Sequence, residues 1–216
     1  MMLKKRKILL LGAGGHCLSV LDSLKSSYKY SEVGIVDQEL SNKSLMNVPI
    51  IGVDEDLDRL YESGYTDAFI TVGSIGDTFL RRKLYQRLKE IGFNVPNIID
   101  KTSIISTHVT LGEGIYIGKN SVINAGASIG NCAIINTAVT VEHECQIGEF
   151  VHVSPGSILC GKVIVGQGTH IGAGSIIKQG IQIGSETMIG MGSVVITNIS
   201  SRAVAYGNPC REVKHE

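Results

Sequence analysis

Aliphatic residues recur at every sixth position through the second half of the sequence. From Ile105 to Val195, sixteen consecutive positions at this spacing hold Ile, Leu or Val. Neither an α-helix nor an ordinary strand meander maintains such a period, because their side chains repeat at shorter intervals. Hexapeptide repeats are instead typical of a parallel β-helix, whose coils stack and bury one column of aliphatic side chains. The period therefore predicts a β-helix over this part of the chain.

Two further features recur with the same step. Glycine often follows the aliphatic residue directly, where we expect tight corners that suit a residue without Cβ. The position four residues after the aliphatic one is small or β-branched, as at Val109, Ser121, Ala127, Ala133, Cys145, Ser157, Thr169 and Ser175. Both features belong to the same repeat.

The first ~97 residues alternate strand-like and helix-like segments. Short apolar runs predict strands at residues 7–11, 32–37 and 69–72, and a further strand after Val95. Helices are predicted at residues 17–27 and 54–62 and after Asp77, where Leu80, Leu84, Leu88 and Ile91 share one face and Gly92 ends the helix. Alternating strands and helices predict a small parallel sheet with helices packed on it. We therefore expect an α/β, Rossmann-like domain over residues 1–97 and a β-helix domain with a short C-terminal tail over residues 98–216.

The composition argues against several classes of function. Basic and acidic residues balance at 20 each, so the net charge does not favour binding to nucleic acid or to an anionic membrane. No apolar run approaches the length of a membrane span, and the aliphatic run after the basic start is too short for a signal peptide. The five cysteines form no C-x-x-C pair and are odd in number, which indicates reduced thiols. We expect a cytoplasmic protein that binds neither nucleic acid nor a membrane.

The stretch VEHECQIGEFVHVS, residues 141–154, carries two histidines and three glutamates. His143 comes two residues after Val141, so it belongs to a corner or an outward-facing edge and not to the aliphatic column. An imidazole beside a carboxylate, here that of Glu144, is suited to general-base catalysis near neutral pH. Solvated corner histidines without a catalytic task would have the same spacing, so the spacing alone leaves both interpretations open.

Four motifs occur in order along the chain: GAGGH at residues 12–16, VEHEC at 141–145, IGEFVHVSPGS at 147–157 and YGNPCREV at 206–213. Together they resemble the NeuD/PglD family of hexapeptide-repeat acetyltransferases, which comprises sialic acid O-acetyltransferases and nucleotide-aminosugar N-acetyltransferases. The resemblance covers nearly the whole chain. It implies a left-handed β-helix with three hexads in each coil, a homotrimer, and acetyl-CoA in the groove between neighbouring β-helices.

A coil of three hexads places residues n and n+18 one strand spacing apart, about 4.8 Å. His143 then lies beside Gly161, whose backbone N–H can donate to a developing oxyanion. His152 likewise lies beside His170.

The resemblance also implies roles for individual residues. His143 would take the proton from the acceptor as it attacks the thioester, and Glu144 would orient or polarise His143. The residues that would bind acetyl-CoA are His152 and, through their backbone, Gly161, Ala173 and Met191. Asn136 matches a sugar-contacting asparagine. The resemblance implies no role for His170.

The GAGGH segment follows a predicted strand and opens a predicted helix, an arrangement that suits a phosphate or a sugar. The G-x-G-x-x-G dinucleotide fingerprint requires glycine at position 17, where this chain has Cys17. A tight β–α turn without a ligand stays open as an alternative. The resemblance implies that the domain binds the nucleotide of a UDP-sugar, through Gly12, Gly14, Gly15, His16, Asp37 and Ser74. The family commonly has glycine at position 17 and often a second acid at position 38, where this chain has Gln38.

Two other functions compete with acetyl transfer. A γ-type carbonic anhydrase would bind zinc through three histidines, two of them in an H-x-x-x-x-H pair, and no two histidines here have that spacing. We therefore expect no metal. A non-catalytic scaffold for polysaccharide assembly would leave the EHEC cluster without a purpose. Among acetyltransferases, the EHECxIGEFxHVS pattern favours N-acetylation of a UDP-linked 4-amino-sugar over O-acetylation of sialic acid.

Overall fold

The computed structural model describes residues 6–26, 29–39 and 44–213. The chain forms two compact units. The first contains the residues up to Gly73 together with Phe79–Ile98, and the second contains Ser74–Thr78 and the residues from Ile99 onward. The short segment Ser74–Thr78 thus belongs to the second unit although the sequence on both sides of it belongs to the first. The predicted domain boundary between residues 97 and 98 stays a prediction.

The first unit is an α/β fold built on a five-stranded sheet. Its strands are β1 (Arg6–Leu11), β2 (Tyr30–Val36), β3 (Ser44–Leu45), β4 (Val48–Gly52) and β5 (Asp67–Ile70). They lie in the order β3-β4-β2-β1-β5, and every neighbouring pair is parallel except β3 with β4. Because β1 has a strand on either side, its residues 8–11 are a fully buried aliphatic run. The predicted small parallel sheet is confirmed.

Two details of this sheet differ from the sequence-based prediction. The sequence does not predict β4, because Pro49 interrupts a short apolar run and proline argues against a central strand. In the structure, Pro49 pairs with Ser44 in the antiparallel hairpin at one end of the sheet. The further strand predicted after Val95 does not join this sheet, and Asn94 forms only an isolated bridge with Asp67.

Three helices accompany the sheet: α1 (Gly15–Lys25), α2 (Leu57–Glu62) and α3 (Phe79–Ile91), with a 3₁₀ turn at Asp54–Asp56. Ser27, the predicted end of the first helix, lies outside the described residues. Among the helices that the structure describes, none combines the length and the apolarity that crossing a membrane requires.

α3 matches its predicted buried face only in part. Leu84 and Leu88 are buried, but Leu80 is 47% exposed and its neighbour Arg81 is buried instead. The Arg81 guanidinium donates to a backbone carbonyl, that of Val72, over 2.6 Å, which offsets the cost of burying its charge.

The second unit is a β-helix made of two-residue strands, each with an outward first residue and an inward second residue. Three hexads complete one coil, so the strands stack into three parallel sheets, which form three faces. Face 1 contains Ile104–Ile105, Val122–Ile123, Thr140–Val141, Ile158–Leu159, Ile176–Ile177 and Val194–Val195. Face 2 contains Thr110–Leu111, Ser128–Ile129, Gln146–Ile147, Ile164–Val165 and Gln182–Ile183. Face 3 contains Tyr116–Ile117, Ile134–Ile135, His152–Val153, His170–Ile171 and Met188–Ile189, and Val204–Gly207 and Cys210–Glu212 extend it. One more two-residue strand is Ile98–Ile99.

The inward residues form one continuous core. All sixteen aliphatic positions of the repeat lie in it, and only Ile105 and Leu111, in the first coil, are less than fully buried. The small residues four positions later also point inward. Where they carry a hydroxyl, it donates to a backbone carbonyl of the next coil, as from Thr169 to Gly184 over 2.7 Å. The buried hydroxyls are therefore satisfied without side-chain partners.

The glycines directly after the aliphatic residues are required for a different reason from the tight corners that were predicted. A Cβ on Gly148 would lie 2.6 Å from the backbone nitrogen of Gln167, and one on Gly166 would lie 2.5 Å from that of Ser185. Glycine is therefore required there by the close approach of the next coil. The corner position with positive φ comes two residues later and accepts side chains, as at Glu144 with φ +59°.

Replacing Ile183 by Ala should lower the free energy of unfolding by about 2–5 kcal/mol, because the change leaves a cavity in the β-helix core. The matched control is Ile164→Ala on the same face, since Ile164 is the outward, half-buried residue of its strand. The same deletion should cost clearly less there. Urea unfolding at equal protein concentration measures both, and equal losses would contradict the inward and outward assignment.

Candidate active site

His143 and Glu144 lie at the corner of the coil between face 1 and face 2. The corner follows Thr140–Val141 and precedes Gln146–Ile147. His143 Nδ1 is 3.0 Å from Glu144 Oε2, and about half of each side chain is exposed, 50% and 56%. Because a carboxylate only accepts hydrogen bonds, Nδ1 carries the proton of the neutral imidazole and Nε2 keeps its lone pair. This is the arrangement that a general base needs.

Gly161 lies directly beside the His143 ring, one coil away. A Cβ at position 161 would lie 2.5 Å from His143 Nε2, so any other residue would push the ring aside. The predicted juxtaposition of these two residues is therefore present. Lys162 was not predicted from the sequence; its Nζ is 3.7 Å from the same carboxylate oxygen of Glu144 that His143 approaches. The coil period contained the signal, because Lys162 is one coil after Glu144.

A second cluster of predicted residues lies on face 3. His152 Nδ1 is 2.9 Å from the backbone carbonyl oxygen of Ser74, and His152 Nε2 is 3.3 Å from Nδ2 of Asn136. The Thr137 N–H donates to Oδ1 of Asn136 over 2.8 Å. The structure thus brings together three residues for which the sequence predicts acetyl-CoA or substrate contacts. Ser74 takes part through its carbonyl oxygen.

His170 lies beside His152 in the next coil, as the coil period predicts. The two rings are paired strand neighbours, their centroids are 4.9 Å apart, and their planes meet at 84°. His170 is only 9% exposed, and burial lowers the pKa of its imidazole from the ordinary value. Its Nε2 is 3.4 Å from Ser154 Oγ, whereas its buried Nδ1 has no hydrogen-bond partner among the described residues.

Ala173 and Met191 lie at the corner between face 3 and face 1. Both are exposed, and Met191 is 82% exposed. His143 lies at a different corner, between face 1 and face 2. The residues predicted to contact acetyl-CoA are therefore not all close together within one chain. Gly161 belongs with His143, while His152, Ala173 and Met191 belong to the other group.

The glycine-rich turn joins β1 to α1 in the first unit. Gly12 has φ +105°, and a Cβ there would lie 2.7 Å from Val72 Cγ2, so the turn requires glycine at this position. Cβ atoms on Gly14 and Gly15 would instead meet no other described atom within 4 Å. The N-terminus of α1 therefore faces open space, as a helix end that receives an anion must. His16 lies nearby, since a Cβ on Gly73 would be 3.9 Å from its Cβ.

Asp37 follows β2 and stabilises this turn through its carboxylate. Its Oδ2 accepts the Ala13 N–H over 2.5 Å, and its Oδ1 accepts the Glu39 N–H over 2.7 Å. A cavity of about 310 Å³ lies against it, lined by Ala13, Gly14, Asp37, Glu39 and Ile50. The cavity lies outside the carboxyl ends of parallel strands, where α/β folds bind ligands. Asp37 was predicted from the sequence, whereas Glu39 and Ile50 belong to no distinctive motif and were not predicted.

Cys17 points away from this cavity. It is fully buried, its thiol is hydrogen-bonded to Thr71, and burial raises the pKa of the thiol to about 11. Thr71 in turn donates to the Gly12 carbonyl over 2.6 Å. Cys17 is therefore part of the buried interior and does not line the cavity beside Asp37.

A larger cavity of about 540 Å³ lies elsewhere in the first unit. Its lining comes from the 3₁₀ turn, α2 and α3 together with Gln38. It lacks a glycine-rich turn and an open helix N-terminus, so size alone does not make it the ligand site. Within the described residues, no three His, Cys, Asp or Glu side chains are grouped as a metal site requires.

Comparison with known proteins agrees with both units. Residues 7–88 match the model of the PglD N-terminal domain, residues 144–179 match the bacterial transferase hexapeptide (six repeats), and residues 108–131 and 162–197 match the hexapeptide repeat of succinyl-transferase. A perosamine N-acetyltransferase from Caulobacter crescentus, solved as a histidine-to-asparagine mutant with CoA and GDP-perosamine, is 33% identical, with 97% of each chain covered and a TM-score of 0.92. The chain belongs to the NeuD/PglD family of hexapeptide-repeat acetyltransferases.

Two further solved structures resemble this chain over nearly its whole length. The acetyltransferase domain of PglB from Neisseria gonorrhoeae, solved with acetyl coenzyme A, is 29% identical, covers 97% of this chain and 100% of its own, and has a TM-score of 0.89. WeeI from Acinetobacter baumannii is 23% identical with a TM-score of 0.87 and the same coverage, and supports the fold alone. The predicted family and the predicted fold, an α/β domain followed by a left-handed β-helix, are confirmed.

The protein should lose stability as the pH falls through the range in which histidine titrates. Because burial lowers the pKa of His170 below its ordinary value of 6.5, the unfolded chain binds a proton there at a pH where the folded chain does not. The free energy of unfolding of the wild type minus that of His170→Phe should be constant above about pH 7.5 and decrease below about pH 6.5. Urea unfolding of both proteins across this range measures the difference. A difference that does not change with pH would contradict the expectation.

Proposed function

We propose that this protein transfers an acetyl group from acetyl-CoA to the amino group of a nucleotide-linked amino sugar in bacterial glycan biosynthesis. The observation that carries the proposal is the His143–Glu144 pair fitted against Gly161 on a β-helix. The same chain carries a glycine-rich turn and an acid that suit a nucleotide. A relative that is 33% identical binds CoA and GDP-perosamine, which is a nucleotide-linked amino sugar.

The proposed reaction needs one proton acceptor and one oxyanion donor. The amine nitrogen attacks the thioester carbonyl, the new C–N bond forms, and the C–S bond of acetyl-CoA breaks. His143 Nε2 accepts the proton that the amine loses, and Glu144 stabilises the resulting imidazolium through Nδ1–H. The backbone N–H of Gly161 donates to the carbonyl oxygen as negative charge develops on it. The proton then passes to the departing thiolate.

The nucleotide is proposed to bind in the first unit. The open N-terminus of α1 suits the diphosphate, since its N–H groups and dipole favour negative charge. The Asp37 carboxylate suits ribose hydroxyls, because each of its oxygens has a further lone pair beyond the backbone hydrogen bond it accepts. Uridine and guanosine nucleotides share both the ribose and the diphosphate, so this arrangement serves a UDP-sugar and a GDP-sugar alike.

The active form is proposed to be a homotrimer in which acetyl-CoA lies between neighbouring copies. His143 lies at a different corner of the β-helix from Ala173 and Met191, and this supports the proposal, because two copies can together place both corners at one ligand. Face 1, which lies between the two corners, also exposes the apolar side chains of Ile104 (68%), Ile158 (39%) and Ile176 (43%). Ile158 and Ile176 are strand neighbours, and adjoining exposed apolar side chains mark interaction sites.

The cytoplasm is the proposed location. The supporting observation is that all five cysteines are free thiols, which suits a reducing compartment. The two proposed substrates, a nucleotide-linked glycan precursor and acetyl-CoA, also agree with a cytoplasmic location.

An acetyl-transfer assay should detect CoA release with nucleotide-linked amino sugars, and His143→Ala should lower kcat by about 10²–10⁴ because it removes the general base. The panel contains UDP- and GDP-linked 4-amino-sugars and sialic acids. Glu144→Ala should cost less, since Glu144 orients the base and does not replace it. The matched control is His108→Ala, because His108 is an exposed histidine on the same β-helix.

If CoA is released only with sialic acids, O-acetylation replaces N-acetylation as the proposed function. If no acceptor leads to CoA release, the scaffold interpretation is favoured. A His143→Ala protein as active as His108→Ala would refute the assignment of the base.

Mixed trimers should test whether two copies share a site. Ala173→Trp would fill the exposed corner between faces 3 and 1, and His143→Ala removes the base at the corner between faces 1 and 2, so each variant alone should be inactive. Trimers assembled from both in equal amounts should regain about a quarter of the wild-type activity, because that share of interfaces pairs an intact His143 corner with an intact Ala173 corner. The control carries both substitutions in one chain and is mixed with His143→Ala, which should restore nothing. Mixed trimers without recovery would refute a shared site.

A further inference from the structure

His152 has a defined tautomer. Its Nδ1 faces the Ser74 carbonyl oxygen at 2.9 Å, which can only accept, so Nδ1 carries a proton. Asn136 presents its Nδ2 to His152 Nε2, because its Oδ1 is already engaged by the Thr137 N–H. An amide nitrogen only donates, so Nε2 must accept. His152 is therefore neutral, with its proton on Nδ1.

The Ser74–Thr78 segment lies along the outward column of face 3. The Ser74 carbonyl contacts His152, and a Cβ on Gly76 would lie 2.5 Å from Met188 Cε. His152, His170 and Met188 are successive members of this column, paired strand to strand. His170 is thus the middle member between the two points at which the segment touches face 3.

The outward column of face 3 is more buried than the outward columns of face 1 and face 2. Its outward residues Tyr116, Ile134 and His170 are 1%, 1% and 9% exposed, although they point away from the core. On face 1 the outward residue at the level of the same coils is 39% exposed at Ile158 and 43% exposed at Ile176. Among the described residues the buried Nδ1 of His170 has no hydrogen-bond partner, which is unfavourable, so an apolar side chain would be more stable at position 170.

We propose that His170 is a positioning residue that acts through His152. Its ring, held at Nε2 by Ser154, packs against the His152 ring and blocks rotation of that imidazole. A flipped His152 ring would present Cδ2–H to the Ser74 carbonyl and Cε1–H to the Asn136 amide, and would lose both hydrogen bonds. His170 thereby keeps Asn136, His152 and Ser74 assembled, with the segment Ser74–Thr78 seated on face 3. The proposal rests on the proposed acetyl transfer only for its kinetic consequence.

Imidazole nitrogen NMR of the wild type gives the first test. We expect the His152 signals to show the neutral form with the proton on Nδ1. His170→Ala should move them toward the average of the two tautomers, and the backbone amides of residues 75–78 should exchange with solvent at least about tenfold faster. His170→Phe keeps a flat ring and should retain the wild-type tautomer and exchange. His108→Ala is the matched control and should change neither.

Kinetics separate positioning from a merely structural effect. His170→Ala should raise the KM for acetyl-CoA about tenfold to a hundredfold, as misplacement of a contact group does, and His170→Phe should restore it. His152→Ala should raise the same KM, and the double variant should be no worse than His152→Ala, because His170 acts through that ring. If His170 had only a structural role, His170→Ala should instead lower kcat equally in the wild type and in His152→Ala. The losses in the double variant would then be additive.

Three outcomes would overturn the proposal: a wild-type His152 with its proton on Nε2, an unchanged tautomer in His170→Ala, or additive losses in the double variant. If His170→Ala does not fold, His170→Leu fills the site without a flat ring and takes its place. A protein that acetylates none of the acceptors would refute the proposed function, whereas the NMR and exchange measurements would still decide the role of His170.

Discussion

The in-register stacking of successive coils is the constraint on which the rest of the β-helix depends. Each strand pairs with the strands one coil before and after it, except at the ends of the β-helix, so a residue's environment is set by its position within the coil. Inward positions merge into one aliphatic core, and the glycines after them let the backbones of neighbouring coils approach closely. A residue that does not fit its position disturbs the next coil as well, since each coil rests on its neighbour.

The same stacking brings the candidate catalytic groups together. His143 has room only because glycine occupies the stacked position 161, and Glu144 can approach both His143 and Lys162 because they are its neighbours in sequence and in the coil direction. A triangular coil also separates groups that lie on different corners. The β-helix therefore carries the His143–Glu144 pair on one corner and an exposed surface on another, and the proposed trimer would bring both to one ligand.

In the first unit, the positive φ of Gly12 and the two backbone hydrogen bonds accepted by Asp37 shape the turn before α1. Cys17, the position at which the turn departs from the dinucleotide fingerprint, does not line the cavity beside Asp37. Its thiol is directed into the interior beside Thr71, where burial raises the thiol pKa, and not toward the cavity. The residue type at position 17 is therefore constrained by packing in the interior beneath the turn.

The sequence by itself determined the β-helix, the three-hexad coil register by family resemblance, the parallel sheet and most of the residues now found in the two clusters. It could do so because the hexapeptide period repeats the same physical requirement sixteen times, and the motifs are contiguous in the chain. It did not reveal β4, the burial of Arg81, the Lys162 contact or the seating of Ser74 on His152. These depend on which surfaces pack together, and they bring residues from distant parts of the chain to within hydrogen-bond distance. His170 illustrates the division: its neighbour His152 followed from counting residues, but its burial, the lowered pKa of its imidazole and the lack of a partner for Nδ1 among the described residues were decided by the tertiary structure.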